Sequence, residues 1–115
     1  MKCISIVPLI QRQLATYFNI ELYVHTVNPL YNAVVEVTQY FNPQTQSWVD
    51  VCDTVLTSYL CTQKYYTDPT GKAYLCLPQG QFILYITYQG YYINQPINVT
   101  GNEYFDIPFY FVNKE

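Results

Sequence analysis

At 115 residues the chain has the length of one domain and can bury a real core without a metal or cofactor. Charged residues make up only 11% of it, against a usual share of about 25%. The net charge is −3 and no Lys/Arg cluster is present, which argues against nucleic acid as a partner because phosphate contacts need concentrated positive charge. Tyr alone supplies 14 residues, so the polar surface is built mostly from Tyr, Thr, Asn and Gln. Such a surface has little self-repulsion and tolerates close packing against copies of itself or other proteins. It also changes little in acid.

Residues 1–16 stand apart. Ile4, Ile6, Val7, Leu9 and Ile10 form an apolar β segment broken by Pro8, followed by a polar joint from Gln11 to Thr16. Two readings fit: a first strand on the edge of the domain's own sheet, or an arm that adds to a neighbour's sheet edge. The apolar run from Cys3 to Ile10 is too short to cross a membrane, so no membrane insertion is expected. It is also a poor signal peptide, since Gln11-Arg12-Gln13 follows at once without a small-x-small cleavage site. The folded domain is placed at 17–115.

From Tyr17 to His25 the pattern has a period of two, with Phe18, Ile20, Leu22 and Val24 inward and Asn19, Glu21, Tyr23 and His25 outward. Asn28-Pro29 turns the chain and Leu30 plugs inward. Ala33, Val35 and Val37 continue the core, with Val34, Glu36, Thr38 and Tyr40 facing out. After a hairpin loop, Trp48 to Leu56 reads as a third strand with Val49 and Val51 inward and Trp48 as a half-buried edge anchor. Residues 57–67 carry little pattern.

The stretch 68–91 reads as turn, strand, turn, strand, turn. Pro69 and Gly71 make the first turn, and Pro78 and Gly80 the second. Leu75 and Leu77 face in on one strand, and Phe82, Leu84 and Ile86 on the next. These two strands read as a paired hairpin, so Tyr74 and Tyr85 share its outer face with Cys76 and Ile83 between them. Tyr92 to Val99 follows, with Pro96 marking an edge or a bulge. Tyr104 to Phe111 then places Phe105, Ile107, Phe109 and Phe111 inward. The expectation is an all-β, seven- to eight-stranded antiparallel sandwich.

Cys3, Cys52, Cys61 and Cys76 allow three pairings into two bridges, or remain free thiols acting as small apolar residues. A Cys52–Cys61 bridge would close a short loop. With no CxxC and a single His, neither a metal nor a cofactor is expected. Catalysis finds little support. His25 is the sole imidazole and sits on an outward strand face, and the carboxylates are scattered. Glu21 and Glu36 could be cross-strand neighbours, Asp50 and Asp53 have opposite parity, and Asp68 suits the capping of its own turn. Asn98-Val99-Thr100 is a glycosylation sequon with Asn98 outward.

Four stretches together resemble a known family: Asn28-Pro29-Leu30-Tyr31-Asn32-Ala33-Val34-Val35-Glu36-Val37, Thr67-Asp68-Pro69-Thr70-Gly71-Lys72-Ala73, Leu77-Pro78-Gln79-Gly80-Gln81-Phe82-Ile83-Leu84 and Gln89-Gly90-Tyr91. In order and spacing they are similar to the carboxypeptidase regulatory-like domains of the transthyretin-like (prealbumin-like) sandwiches, over about residues 17–111. The resemblance implies a non-catalytic accessory, adhesive or surface-display module. The enzymatic relatives, the hydroxyisourate hydrolases, need several His and Arg residues and a Tyr-Arg-Gly-Ser ending. This chain has only His25 and Arg12 and ends Phe-Val-Asn-Lys-Glu, so the resemblance implies no such activity. In composition alone, the Tyr- and Gln-rich, charge-poor chain also resembles coat, turret or fibre proteins of viruses infecting thermoacidophilic archaea.

The expectation is a non-enzymatic structural or protein-interaction module, at a virion or extracellular surface, in a homo-oligomer or larger assembly. Its candidate interaction face is Tyr74, Tyr85, Ile83 and Trp48. The alternative is a carbohydrate-binding or adhesion module using the exposed Tyr residues, because a Tyr-rich face offers apolar area at low entropy cost.

Overall fold

The computed structural model describes Cys3 and residues 16–115. The remainder of the N-terminal segment, and with it the choice between edge strand and arm, lies outside the described residues. Nine strands follow in order among the described residues: β1 (Tyr17–His25), β2 (Val34–Asn42), β3 (Ser47–Asp50), β4 (Tyr65–Tyr66), β5 (Lys72–Pro78), β6 (Gly80–Tyr88), β7 (Tyr91–Val99), β8 (Glu103–Pro108) and β9 (Asn113–Lys114). Short 3-10 turns occupy Val51–Asp53 and Ser58–Leu60. The smaller sheet has the order β5-β1-β8, and the larger has β3-β2-β6-β7-β9 with β4 alongside β2. The two sheets form the expected all-β sandwich.

Alternation builds the core. Ile20, Leu22 and Val24 of β1 and Phe82, Leu84 and Ile86 of β6 are fully buried, as the period of two requires. Val35, Val37, Leu75, Leu77, Ile107 and Phe109 join them. Phe18 and Phe105 are only partly buried and pack against this cluster from its rim. Phe111 departs from the expected pattern. The β8 ladder ends at Pro108, and Phe111 lies beyond it, 45% exposed, edge-on to Phe109 and Tyr91.

The pairing also departs from a purely antiparallel sandwich. β1 runs antiparallel to β5 but parallel to β8. A parallel pair needs a long crossover connection, and everything between β1 and β8 supplies it. A β-bulge interrupts β2: its register against β6 passes from Val37↔Leu84 to Gln39↔Ile83, leaving Thr38 as the extra residue. The Thr38 hydroxyl donates to the Ile83 carbonyl at 3.2 Å. Parity flips after the bulge, so Tyr40 turns inward to 9% exposure rather than facing out. Gly80, with φ +148°, leaves the room Tyr40 needs; a Cβ there would stand 2.8 Å from its ring.

β3 stops at Asp50 instead of running on to Leu56, because the Asp50 carboxylate accepts from the Cys52 backbone N–H and caps the first 3-10 turn. Val51 and Leu60 still bury at that end of the sandwich. The buried Thr57 hydroxyl donates to the Val51 carbonyl at 2.8 Å. A Cys52–Cys61 disulfide, Cα atoms 4.9 Å apart, staples this loop. Tyr59, from the second 3-10 turn, stacks on Tyr17 and donates to the Cys76 carbonyl at 2.6 Å, so burial pushes its hydroxyl pKa up.

Turn residues fix the crossings between sheets. The Thr67 hydroxyl donates to the Leu30 carbonyl at 2.6 Å and accepts from the Ala33 N–H at 2.8 Å, pinning the β1–β2 connection. Asp68 caps its own turn, as expected, by accepting from the Thr70 and Lys72 N–H groups and the Thr70 hydroxyl. These bonds hold its carboxyl below the usual carboxylate range.

Candidate functional site

The expected interaction residues divide between the two sheets. Tyr74 lies on β5 in the smaller sheet, 39% exposed, whereas Ile83 and Tyr85 lie on β6 and Trp48 on β3 in the larger one. β5 and β6 are therefore not a paired hairpin: between Pro78 and Gly80 the chain crosses the sandwich, and Tyr74 and Tyr85 point out of opposite faces. A period of two shows only that each strand buries one side, which a crossing and a hairpin satisfy equally. Glu21 and Glu36 are separated in the same way, on β1 and β2.

The outer face of the larger sheet is assembled in cross-strand rows. Phe41 pairs with Trp48, Gln39 with both Asp50 and Ile83, Ile83 with Pro96, and Tyr85 with both Glu36 and Asn94. Trp48 meets Phe41 edge to face at 5.4 Å, and Tyr85 meets Tyr92 at 5.4 Å. Ile83 and Pro96 form the apolar middle between these aromatic pairs. Beyond Tyr92, β7 has no further strand beside it among the described residues, so Pro96 does lie on an edge. The Tyr85 hydroxyl donates to Glu115 Oε2 at 2.8 Å, and chiefly for that reason its pKa is pushed up to about 12.

The smaller sheet presents a different chemistry. Its outer face carries a Lys72–Glu21 pair at 3.5 Å and a His25–Asp106 pair at 2.9 Å. His25 also stacks on Tyr23, and its Nδ1 lies 2.6 Å from the Thr26 carbonyl oxygen, so both ring nitrogens are engaged. His25 is thus not the solvated side chain that its parity suggests. On the same face Cys3 is joined to Cys76 by a disulfide, and the Cys3 N–H donates to Asn19 Oδ1 at 2.9 Å. Tyr74 lines a recess of about 220 Å³ with Asn19 and Glu21.

At one end of the larger face the β2–β3 turn, the β5–β6 crossing and the end of β7 border an open recess of about 380 Å³. Tyr40, Phe41 and Pro43 supply its apolar wall, and the amides of Gln79, Gln81 and Asn98 its polar one. Asn98 is exposed, as the sequon requires, and faces Gln81 across the strand pair. Of these three amides the sequon marks Asn98 alone in the sequence; the Gln-Gly-Gln run at the crossing is the signal for the other two. No group of three His, Cys, Asp or Glu residues that could hold a metal occurs among the described residues, and none of their helices is long and apolar enough to cross a membrane. No family model matches this chain, and no curated protein matches it.

Proposed function

We propose that the chain is a non-enzymatic structural or protein-interaction module, one copy among many in a surface assembly such as a virion or an extracellular filament. Its working surface is the outer face of the larger sheet. One observation carries this reading: that face joins two aromatic pairs, Phe41–Trp48 and Tyr85–Tyr92, through Ile83 and Pro96. Aromatic area of this kind is what the centre of a protein interface uses. The Lys72–Glu21 ion pair stands on the opposite face, while Glu36 and Asp50 border the aromatic rows of this one.

The four cysteines support the surface setting. All pair in disulfides, which form in oxidising compartments and, inside cells, in hyperthermophiles. Both settings agree with the compositional likeness to archaeal virus proteins. We also read the sandwich as transthyretin-like. In support, three of the four stretches that carry the resemblance lie where the chain changes sheet, between β1 and β2, β4 and β5, and β5 and β6. The fourth makes the β6–β7 hairpin. Sedimentation of the purified protein over a wide concentration range tests the assembly reading: reversible or stable association is expected, and a monomer throughout contradicts it.

The alternative, a carbohydrate-binding module, loses its shared Tyr74–Tyr85 platform, since those rings face opposite ways. A different place on the molecule favours it.

A further inference from the structure

We propose that the recess at the end of the larger sheet is a binding site for a neutral sugar ring, with Phe41 as its apolar floor and Gln79, Gln81 and Asn98 as its hydrogen-bonding rim. The volume, about 380 Å³, falls in the ordinary range of small-ligand sites. Apart from Tyr40, no ionisable side chain lines it. A phosphate or carboxylate ligand would find no counter-charge there, because recognition of such anions depends on charge-assisted pairs.

The polar groups fit a polyol instead. A side-chain amide sets an NH2 donor beside a carbonyl acceptor, which matches two neighbouring hydroxyls that each donate and accept. The Gln79, Gln81 and Asn98 side chains make no hydrogen bond within the described protein, so all three are available. Phe41, held edge to face by Trp48, presents the aromatic surface on which the C–H side of a sugar ring packs. A purely apolar ligand would leave the three amides unpaired and lose affinity accordingly.

The site shares Phe41 with the assembly surface, but its hydrogen-bonding rim of Gln79, Gln81 and Asn98 lies outside the residues on which that reading rests, so either can fail without the other. A sugar ring has two sources. It could belong to a separate glycan, or to a glycan carried on Asn98, which lies in the rim and in a sequon.

The test uses isotope-labelled full chain made without glycosylation, titrated with a panel of neutral mono- and oligosaccharides while the side-chain amide signals are followed. Saturable shifts of the Gln79, Gln81 and Asn98 signals are expected with at least one sugar. Affinity should fall about tenfold or more in both Gln81→Ala and Phe41→Ala, and stay unchanged in Tyr74→Ala on the opposite face. Gln81 is exposed, so its variant reports binding even if Phe41→Ala fails to fold. An absence of shifts with every sugar, or full affinity in Gln81→Ala, overturns the proposal. The same chain from a glycosylating host separates the sources. An Asn98 glycan that fills the recess blocks free sugar until it is removed enzymatically; an unoccupied Asn98, or unimpeded binding, assigns the recess to a separate glycan.

Discussion

Phe41 and Trp48 face each other across the β2–β3 hairpin as register partners, their rings meeting edge to face at 5.4 Å. That contact exists because the bulge at Thr38 turns Phe41 outward and sends Tyr40 into the core. One extra residue in one strand thus creates the aromatic end of the larger face. The same residue places Tyr40 against Gly80 and opens the recess between them.

The register of β6 predicts a sharp contrast between neighbours. Leu84 is fully buried, and Leu84→Ala should destabilise by about 2–5 kcal/mol through lost burial and a residual cavity. Tyr85 faces out, and Tyr85→Ala should cost less than about 1.5 kcal/mol, the worth of an aromatic pair at the surface. Denaturant unfolding of the two variants checks this; equal losses would mean the strand is misregistered.

Two glycines share a positive φ but not their surroundings. At Gly71 a Cβ would stand 2.8 Å from the Val24 carbonyl oxygen and 2.9 Å from Pro29 Cβ, whereas at Gly90 it would meet nothing within 4 Å. Gly90→Ala should therefore cost only the left-handed backbone penalty of about 1–2 kcal/mol. Gly71→Ala adds a clash with backbone and should cost about 3 kcal/mol or more. A calorimetric comparison in which Gly90→Ala proves the more damaging would refute the turn geometry at Gly71.

Acid should release the cap at Asp68. Its hydrogen bonds lower its folded-state pKa from the ordinary 3.8, so its contribution to stability is present above that value and is lost as pH falls through the folded one. Asp68→Asn should thus melt below the parent at neutral pH, and the gap should close as the pH drops beneath 3.8. A gap that stays constant down to strong acid would show that the carboxylate charge contributes nothing.

The two disulfides should differ in weight. Cys52 and Cys61 are nine residues apart, and replacing both with Ser should cost about 2–3 kcal/mol on the chain-entropy model. Cys3 and Cys76 are 73 apart, and their loss should cost about 4 kcal/mol because a longer loop is released. Melting curves of both double variants decide the order, and a reversed order would contradict it.

Much of this molecule was legible in its sequence. Alternation in Ile20-Leu22-Val24 and Phe82-Leu84-Ile86 marked the buried face of each strand, and Asp68 marked its own turn. Sheet membership was not legible, because a strand's pattern records which side it buries and not which neighbour it joins. Parity alone therefore groups Tyr74 with Tyr85, although Ile83, Tyr85 and Trp48 are the ones that share a face. The bulge left no mark in Val37-Thr38-Gln39, since an extra residue is recognisable only against its partner strand. The Cys3–Cys76 pairing depends on two segments meeting across the fold, which spacing alone does not specify.

The most direct test of the assembly account compares a charge placed on each outer face. Ile83→Glu puts a carboxylate in the apolar middle of the larger face, and Tyr74→Glu puts one on the smaller face. Tyr74 is exposed and Ile83 is half-buried on an outward strand face, so neither change enters the core and both variants should keep the parent's circular dichroism. Light scattering after size separation should then show that Ile83→Glu loses the parent's association while Tyr74→Glu retains it. Loss of association in Tyr74→Glu with Ile83→Glu unaffected would contradict the account and move the interface to the other sheet.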